Sequence, residues 1–268
     1  MESRPSALVG RGAHRLGPIP PQRRSSFLAP TARAWRAERG NHPWQQTWEK
    51  LTMSDIEMLG AGLGSLPLLS RARTRSISPE NPTGAKGQGG MAVPDPATLP
   101  FSGAASDLGQ KWKVSPFWKV KSGETHTLME VDGPGVIQHI WLVADPNRGR
   151  SHILRFYWDH EETPSIEVPV SDFFAVGHNK FAPVNSLAVI VNPASAFNCY
   201  WPMPFRRHAR ITFTNEDNED LGLLTYQITY AETEVPERAA YFHAQWRRAM
   251  TERGNPDYTI VDGIRGQG

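Results

Sequence analysis

The sequence holds a single cysteine, Cys199. No internal disulfide can therefore staple the fold, and a reducing, cytoplasmic setting is favoured over secretion. No apolar run approaches the ~18 residues of a membrane-spanning helix, so no membrane partner is expected. Helical periodicity is missing between residues 112 and 230, which argues against an α/β or helical fold there. His, Cys and acidic residues never fall at zinc-like spacing, so no metal site and no cofactor is expected. The glycine-rich run in the first third has no strand before it and no Lys–Ser/Thr pair, which excludes a phosphate loop. A nucleophile-elbow sequence is also absent. The terminal GIRGQG (263–268) has glycines but no helix after them, so a dinucleotide site is not supported.

Turn formers, tryptophan and a lopsided charge are what the chain does have. Twenty-three Gly, 23 Pro and nine Trp, with 39% hydrophobic residues, point to a β-rich domain with many turns plus a region that does not pack. Residues 1–52 carry nine Lys or Arg against three acids, whereas residues 53–268 carry 20 against 24. The first segment, Arg- and Pro-rich and without a period of 2 or 3.6, reads as disordered. It can be a transit peptide, a degenerate twin-arginine signal around Arg23 and Arg24, or upstream sequence read through to a start at Met53. Aromatic interleaving and any nucleic-acid module are missing, so no nucleic-acid partner is expected.

Residues 53–106 read as a loop-rich entry segment, with Leu66, Leu68 and Leu69 as one short apolar anchor. Ser76–Gly90 is turn chemistry throughout: Pro79 and Pro82 fix φ, and four glycines permit positive φ. Strand signals then recur at Trp112–Val120, Thr125–Val131, Val136–Val143, Ile153–Trp158, Ser165–Val170, Ser186–Val191, Ile211–Thr214 and Leu223–Tyr230. Turn signatures such as DGPG (132–135) and NPAS (192–195) separate them. This is the pattern of an all-β fold, an antiparallel jelly-roll β-sandwich over residues 107–250. Both faces of Val136–Val143 are largely apolar, so that strand should be central and buried on both sides.

Leu154–Phe174, reading LRFYWDHEETPSIEVPVSDFF, is the most informative stretch. Its strand alternates Leu154, Phe156 and Trp158 with Arg155, Tyr157 and Asp159, and further acids follow at Glu161, Glu162, Glu167 and Asp172. Rings stack on sugar faces and carboxylates bind hydroxyls, so this rim suits a carbohydrate; a solvated acidic turn between two strands is the plainer alternative. In CYWPMPF (199–205) two prolines exclude a central strand, leaving an extended edge or loop that displays rings. AYFHAQWRR (240–248), if extended, puts Tyr241 and His243 on one side and Phe242 and Trp246 on the other. His243 reads as a hydrogen-bonded structural residue more readily than as an acid/base.

Taken together, SPENPTGAKGQGG (78–90), GPGVIQHIWL (133–142), LRFYWDHEETPSIEVPVSDFF, NCYWPMPFRRHARIT (198–212), YFHAQWRR (241–248) and DYTIVDGIRGQG (257–268) resemble the domain-of-unknown-function family 2961, grouped as glycoside hydrolase family 172. The likeness runs in order from about Leu66 to Gly268. It implies the first of two successive jelly rolls in an oligomeric, retaining glycoside hydrolase acting on α-fructofuranosides or arabinofuranosides. Residues 251–268 would begin the connection to a second jelly roll that is missing or supplied by a separate chain. The family's two catalytic glutamates lie in motifs resembling GEGE and GTEDYF, and neither occurs in these 268 residues. No catalytic residue is therefore assigned, and the chain is expected to be inactive by itself. Candidate sugar contacts are Arg75, Asn81, Thr83 and Lys86 around the Gly-rich loop, with Trp158, Asp159, Asp172 and Trp201 in the domain. Asp159 and Asp172 are expected to shape the fold or support binding rather than to catalyse. A non-catalytic carbohydrate-binding or assembly module is the alternative. An apolar face containing Trp201, Phe205, Phe242 and Trp246, left exposed without its neighbour, should drive self-association.

Overall fold

A computed structural model describes residues 70–265, apart from 98, 100, 101, 255 and 256. The readings of residues 1–52 and of the Leu66–Leu69 anchor lie outside the described residues. The elements in chain order are β1 (Arg73–Ile77), β2 (Trp118–Val120), β3 (Thr125–Asp132), β4 (Gly135–Val143), β5 (His152–Trp158), β6 (Ile166–Pro169), the single-turn α1 (Val170–Phe173), β7 (Val184–Asn185), β8 (Val189–Val191), β9 (Ala196–Cys199), β10 (Met203–Phe205), β11 (His208–Asn215), β12 (Leu221–Glu232) and β13 (Ala244–Gln245).

Two sheets result. One is eight-stranded, with the path β1-β12-β4-β9-β8-β7, β10 pairing with β4 and β2 with β12; the other is five-stranded, β13-β6-β5-β11-β3. The chain crosses between them at β2–β3, β3–β4, β4–β5, β6–β7, β10–β11, β11–β12 and β12–β13, and β11 inserts between β3 and β5. Named pairings are antiparallel except β13 on β6. The fold is thus the β-sandwich expected, wound as a jelly roll. One core cluster joins the sheets, with Ile140, Leu142, Tyr226 and Ile228 from one and Leu154, Phe156, Trp158, Ile211 and Phe213 from the other. Strict alternation on β5, buried at every second residue from His152 to Trp158, sets which ring faces inward.

Several expectations change. Of the strand expected at Trp112–Val120, the structure keeps Trp118–Val120; Pro116 has no N–H for a ladder, and its carbonyl instead accepts from Thr225 Oγ1 at 2.6 Å. β1 arises inside what reads as entry loop, pairing along β12 from Arg73↔Glu232 to Ile77↔Ile228. CYWPMPF does not simply display rings. Met203–Phe205 is a fully buried strand bonded to β4, and Phe205 is 0% exposed. Gly135 makes room for it: a Cβ there would sit 2.7 Å from the Phe205 ring and 2.8 Å from the Ala231 carbonyl oxygen. The four-residue apolar face therefore fails at Phe205. Phe242 and Trp246 are partly buried against the core, and Trp201, 46% exposed, is the open member. β4 is central, but its outward residues His139, Trp141 and Val143 are half-buried rather than enclosed.

Candidate functional site

The end of β5 is where the expected acid–aromatic rim forms, and its groups hold the polypeptide together. After Trp158 the backbone turns through Asp159 and His160 at φ 53° and 69°. Asp159 Oδ1 accepts the backbone N–H groups of Arg206, Arg207 and His208 at 3.0, 2.7 and 3.2 Å, and Oδ2 accepts the Tyr241 hydroxyl. Burial raises the Asp159 pKa, but the Tyr241 hydroxyl and the three N–H groups outweigh it and hold the carboxyl below its ordinary value. Tyr241 is pushed up, by burial first and then by this bond.

Asp172 on α1 is held in the same manner. Arg150 clamps it with two bonds of 3.0 and 2.9 Å, Ser171 Oγ donates at 3.0 Å, and the Trp246 indole N–H donates at 3.1 Å. Burial again raises its pKa and these donors lower it by more. Trp158 is 2% exposed, and its indole N–H donates to the Phe242 carbonyl at 2.9 Å. The structure places this ring in the core, away from any surface. Trp201 lies at the surface with its ring 5.8 Å from that of Phe242.

These bonds share a purpose. Residues 236–246 form a strap from the end of β12 to β13 on the edge of the five-stranded sheet. The Arg206 guanidinium donates to the carbonyls of Pro236, Glu237 and Ala239 at 3.1, 2.8 and 2.7 Å and lies 4.9 Å from the Tyr241 ring. Asp159 fastens Tyr241, Trp158 fastens Phe242, and Asp172 fastens Trp246. Of the extended run expected at 240–248, the structure forms a strand at Ala244–Gln245 alone.

The Gly-rich loop forms a second cluster. Arg75 pairs with Glu232 at 3.0 Å. Asn81 Nδ2 donates to the Ala85 carbonyl at 3.0 Å, Thr83 Oγ1 lies 3.4 Å from Asn81 Oδ1, and Glu80 accepts the Ser115 N–H at 2.6 Å. Gly84, at φ 66°, packs where a Cβ would press on Ile77 at 2.8 Å. Lys86 and Thr83 remain exposed on this stitched loop. Asn81 and Thr83 thus come together, with Lys86 further along the same loop, while Arg75 is held by Glu232. They do not join Trp158, Asp159 and Trp201, because β12 and β4 separate β1 from β10, about 14 Å at ~4.8 Å per strand. Asp172 stands at the far end of the strap from Asp159.

Sequence reasoning missed a groove of about 500 Å³ on the outer face of the five-stranded sheet, lined by Glu130, Tyr157, His160, Glu162, His208 and Arg210 among others. The imidazoles of His160 and His208 stack at 4.3 Å, and the Arg210 guanidinium lies 4.1 Å from the Tyr157 ring centroid. The acids of the β5 turn and the RRHAR run were visible separately. Their meeting depends on β5 pairing with β11, which no local pattern reveals. Among the described residues, no group of three or more His, Cys, Asp or Glu is arranged to hold a metal ion.

Residues 104–249 match the family described as the GH172 first beta-sandwich domain, more than half of the chain. The chain belongs to glycoside hydrolase family 172. The matched span includes the strap and its three fasteners, and it begins after the Gly-rich loop. No curated protein matches the chain. Membership ties the protein to glycoside-hydrolase-related function and fits the sandwich seen here.

Proposed function

We propose that this chain supplies the first β-sandwich of a retaining furanosidase, acting on α-fructofuranosides or arabinofuranosides, whose hydrolytic carboxylates come from polypeptide outside these residues. A retaining mechanism needs a nucleophilic carboxylate and a protonated partner about 5–5.5 Å apart. The observation that carries the reading is that the two best-placed acids, Asp159 and Asp172, are spent on donors from the strap and its supports. Both pKa values are lowered, so neither holds a proton to give to a leaving group, and their lone pairs are already engaged. The Gly-rich loop, with Thr83 and Lys86 outward, is the surface assigned to sugar contact; Arg75 and Asn81 shape it. A homo-oligomer and a second jelly roll as partners complete this proposal.

The test is turnover. Pure chain is expected to leave an aryl arabinofuranoside and difructose dianhydride intact, and addition of a polypeptide bearing the GEGE- and GTEDYF-like motifs is expected to produce activity. Hydrolysis by the chain alone would overturn the proposal.

A further inference from the structure

The outer face of the eight-stranded sheet carries chemistry that the reading above does not use. In one register across β12, β4, β9 and β8 stand Gln227, Trp141, Asn198 and Ile190. They point away from the core: Ile140 and Leu142, on either side of Trp141, are 2% and 0% exposed on the opposite face. Apart from Glu232, which ends β12 and is paired with Arg73 and Arg75, these four strands hold no Asp, Glu, Lys or Arg. In the adjoining row the His139 imidazole stacks on Tyr200 at 4.6 Å and 16°, and Tyr200 is 37% exposed. Asn198 fixes that stack, its Oδ1 3.1 Å from His139 Nε2, while its own amide donates to the carbonyls of Ile190 and Ala196. Trp141 is not packed on the core, and neither its indole N–H nor the Gln227 amide has a partner among the described residues.

We propose that this face is a platform for a neutral glycan chain, separate from any hydrolytic site, with Trp141 and Tyr200 under sugar rings and Gln227 bonded to hydroxyls. A charged ligand finds no counter-charge there. A second copy of the chain is disfavoured by the residues beside the indole: Gln227 and Asn198 flank Trp141, and a packed apolar interface would strand the unspent Gln227 amide, at a cost. A polyol offers each such group both donors and acceptors, and its C–H faces suit the open part of a half-buried indole. The geometry of the platform is independent of the proposed function; the carbohydrate class rests on it.

Affinity electrophoresis and calorimetry of the full chain with linear arabinan, inulin and, as the charged control, polygalacturonate test this. At least one neutral glycan is expected to bind and polygalacturonate is not. Trp141→Ala is expected to weaken binding roughly tenfold or more, and Gln227→Ala roughly threefold. Thr127→Ala, on the other sheet, should change nothing. If Trp141→Ala does not fold, Gln227→Ala and Tyr200→Ala decide. Absence of binding to both neutral glycans, undiminished binding by the folded variants, or light scattering showing that Trp141→Ala splits a dimer would overturn the platform. Failure of the furanosidase proposal is read in turnover and leaves glycan retention unaffected, so the two are told apart.

Discussion

The two outer faces of the sandwich come from the same strand alternation and end in opposite chemistry. On the five-stranded sheet Arg155 is surrounded by Glu167 at 2.6 Å, Glu216 at 3.0 Å and Thr214 at 2.9 Å, Glu130 lies 3.5 Å from His208, and Arg210 covers Tyr157. That face meets water with charges already paired among themselves. The eight-stranded sheet presents Trp141, Gln227, His139 and Asn198 with no ion pair at its centre and with polar groups unspent. Alternation decides that a residue faces outward; whether it is there for solubility or for contact depends on its neighbours in register. A charged, paired face resists association, while a neutral aromatic one invites it.

If the comparison holds, disturbing the five-stranded side should cost stability and disturbing the eight-stranded side should cost binding. The largest effect is expected from pH. His152, at the start of β5, is fully buried, and burial first, then Arg148, lower its pKa to about 4, against opposing pulls from Asp217 and Asp145. The unfolded imidazole takes up a proton near pH 6.5. Between these values the unfolded chain binds more protons, so stability falls as pH drops from about 6.5 to 4, by up to about 3 kcal/mol. Urea titrations across that range should show the slope, and His152→Leu should flatten it. A flat wild-type profile would mean that the imidazole is solvated.

Next comes the strap. Asp159→Ala removes the acceptor of three backbone N–H groups and the Tyr241 hydroxyl, and is expected to lower unfolding free energy by about 2–3 kcal/mol. Asp159→Asn keeps one acceptor oxygen and should cost less. Hydrogen exchange should locate the loosened amides at residues 236–246; protection unchanged there would show that the strap is held by packing alone. Arg155→Ala is expected to cost about 1 kcal/mol, partly masked in high salt, because its partners are largely exposed. Trp141→Ala should be the mildest, within about 1 kcal/mol in chemical denaturation, since its ring lies outside the core. A loss as large as that of Asp159→Ala would make Trp141 a structural residue and break the contrast.

Much of the fold was legible because its cause is local. The period-two pattern of Leu154, Phe156 and Trp158 marks an inward face wherever the strand goes, and DGPG and NPAS mark turns by their own φ preferences. The strands at Arg73–Ile77, Ala196–Cys199 and Met203–Phe205 were not legible. β1 is polar at every position but Ile77 and exists because β12 offers it an edge, and Pro204 is tolerated since β10 is bonded on one side only. At the candidate site, sequence drew attention to Asp159, Asp172 and Trp158 but could not reveal that Tyr241, Trp246 and Phe242, some 74 to 84 residues later, are their partners.

By itself, then, the sequence determined a β-sandwich, since burial alternation and turn chemistry act over a few residues, and its long motifs determined membership of glycoside hydrolase family 172. Tertiary structure alone decided that its conspicuous carboxylates are fasteners, that Phe205 lies inside, and that an uncharged aromatic face looks outward. A carboxylate's pKa and a ring's exposure depend on which distant strands fold against them, and that is fixed by pairing across the whole sandwich.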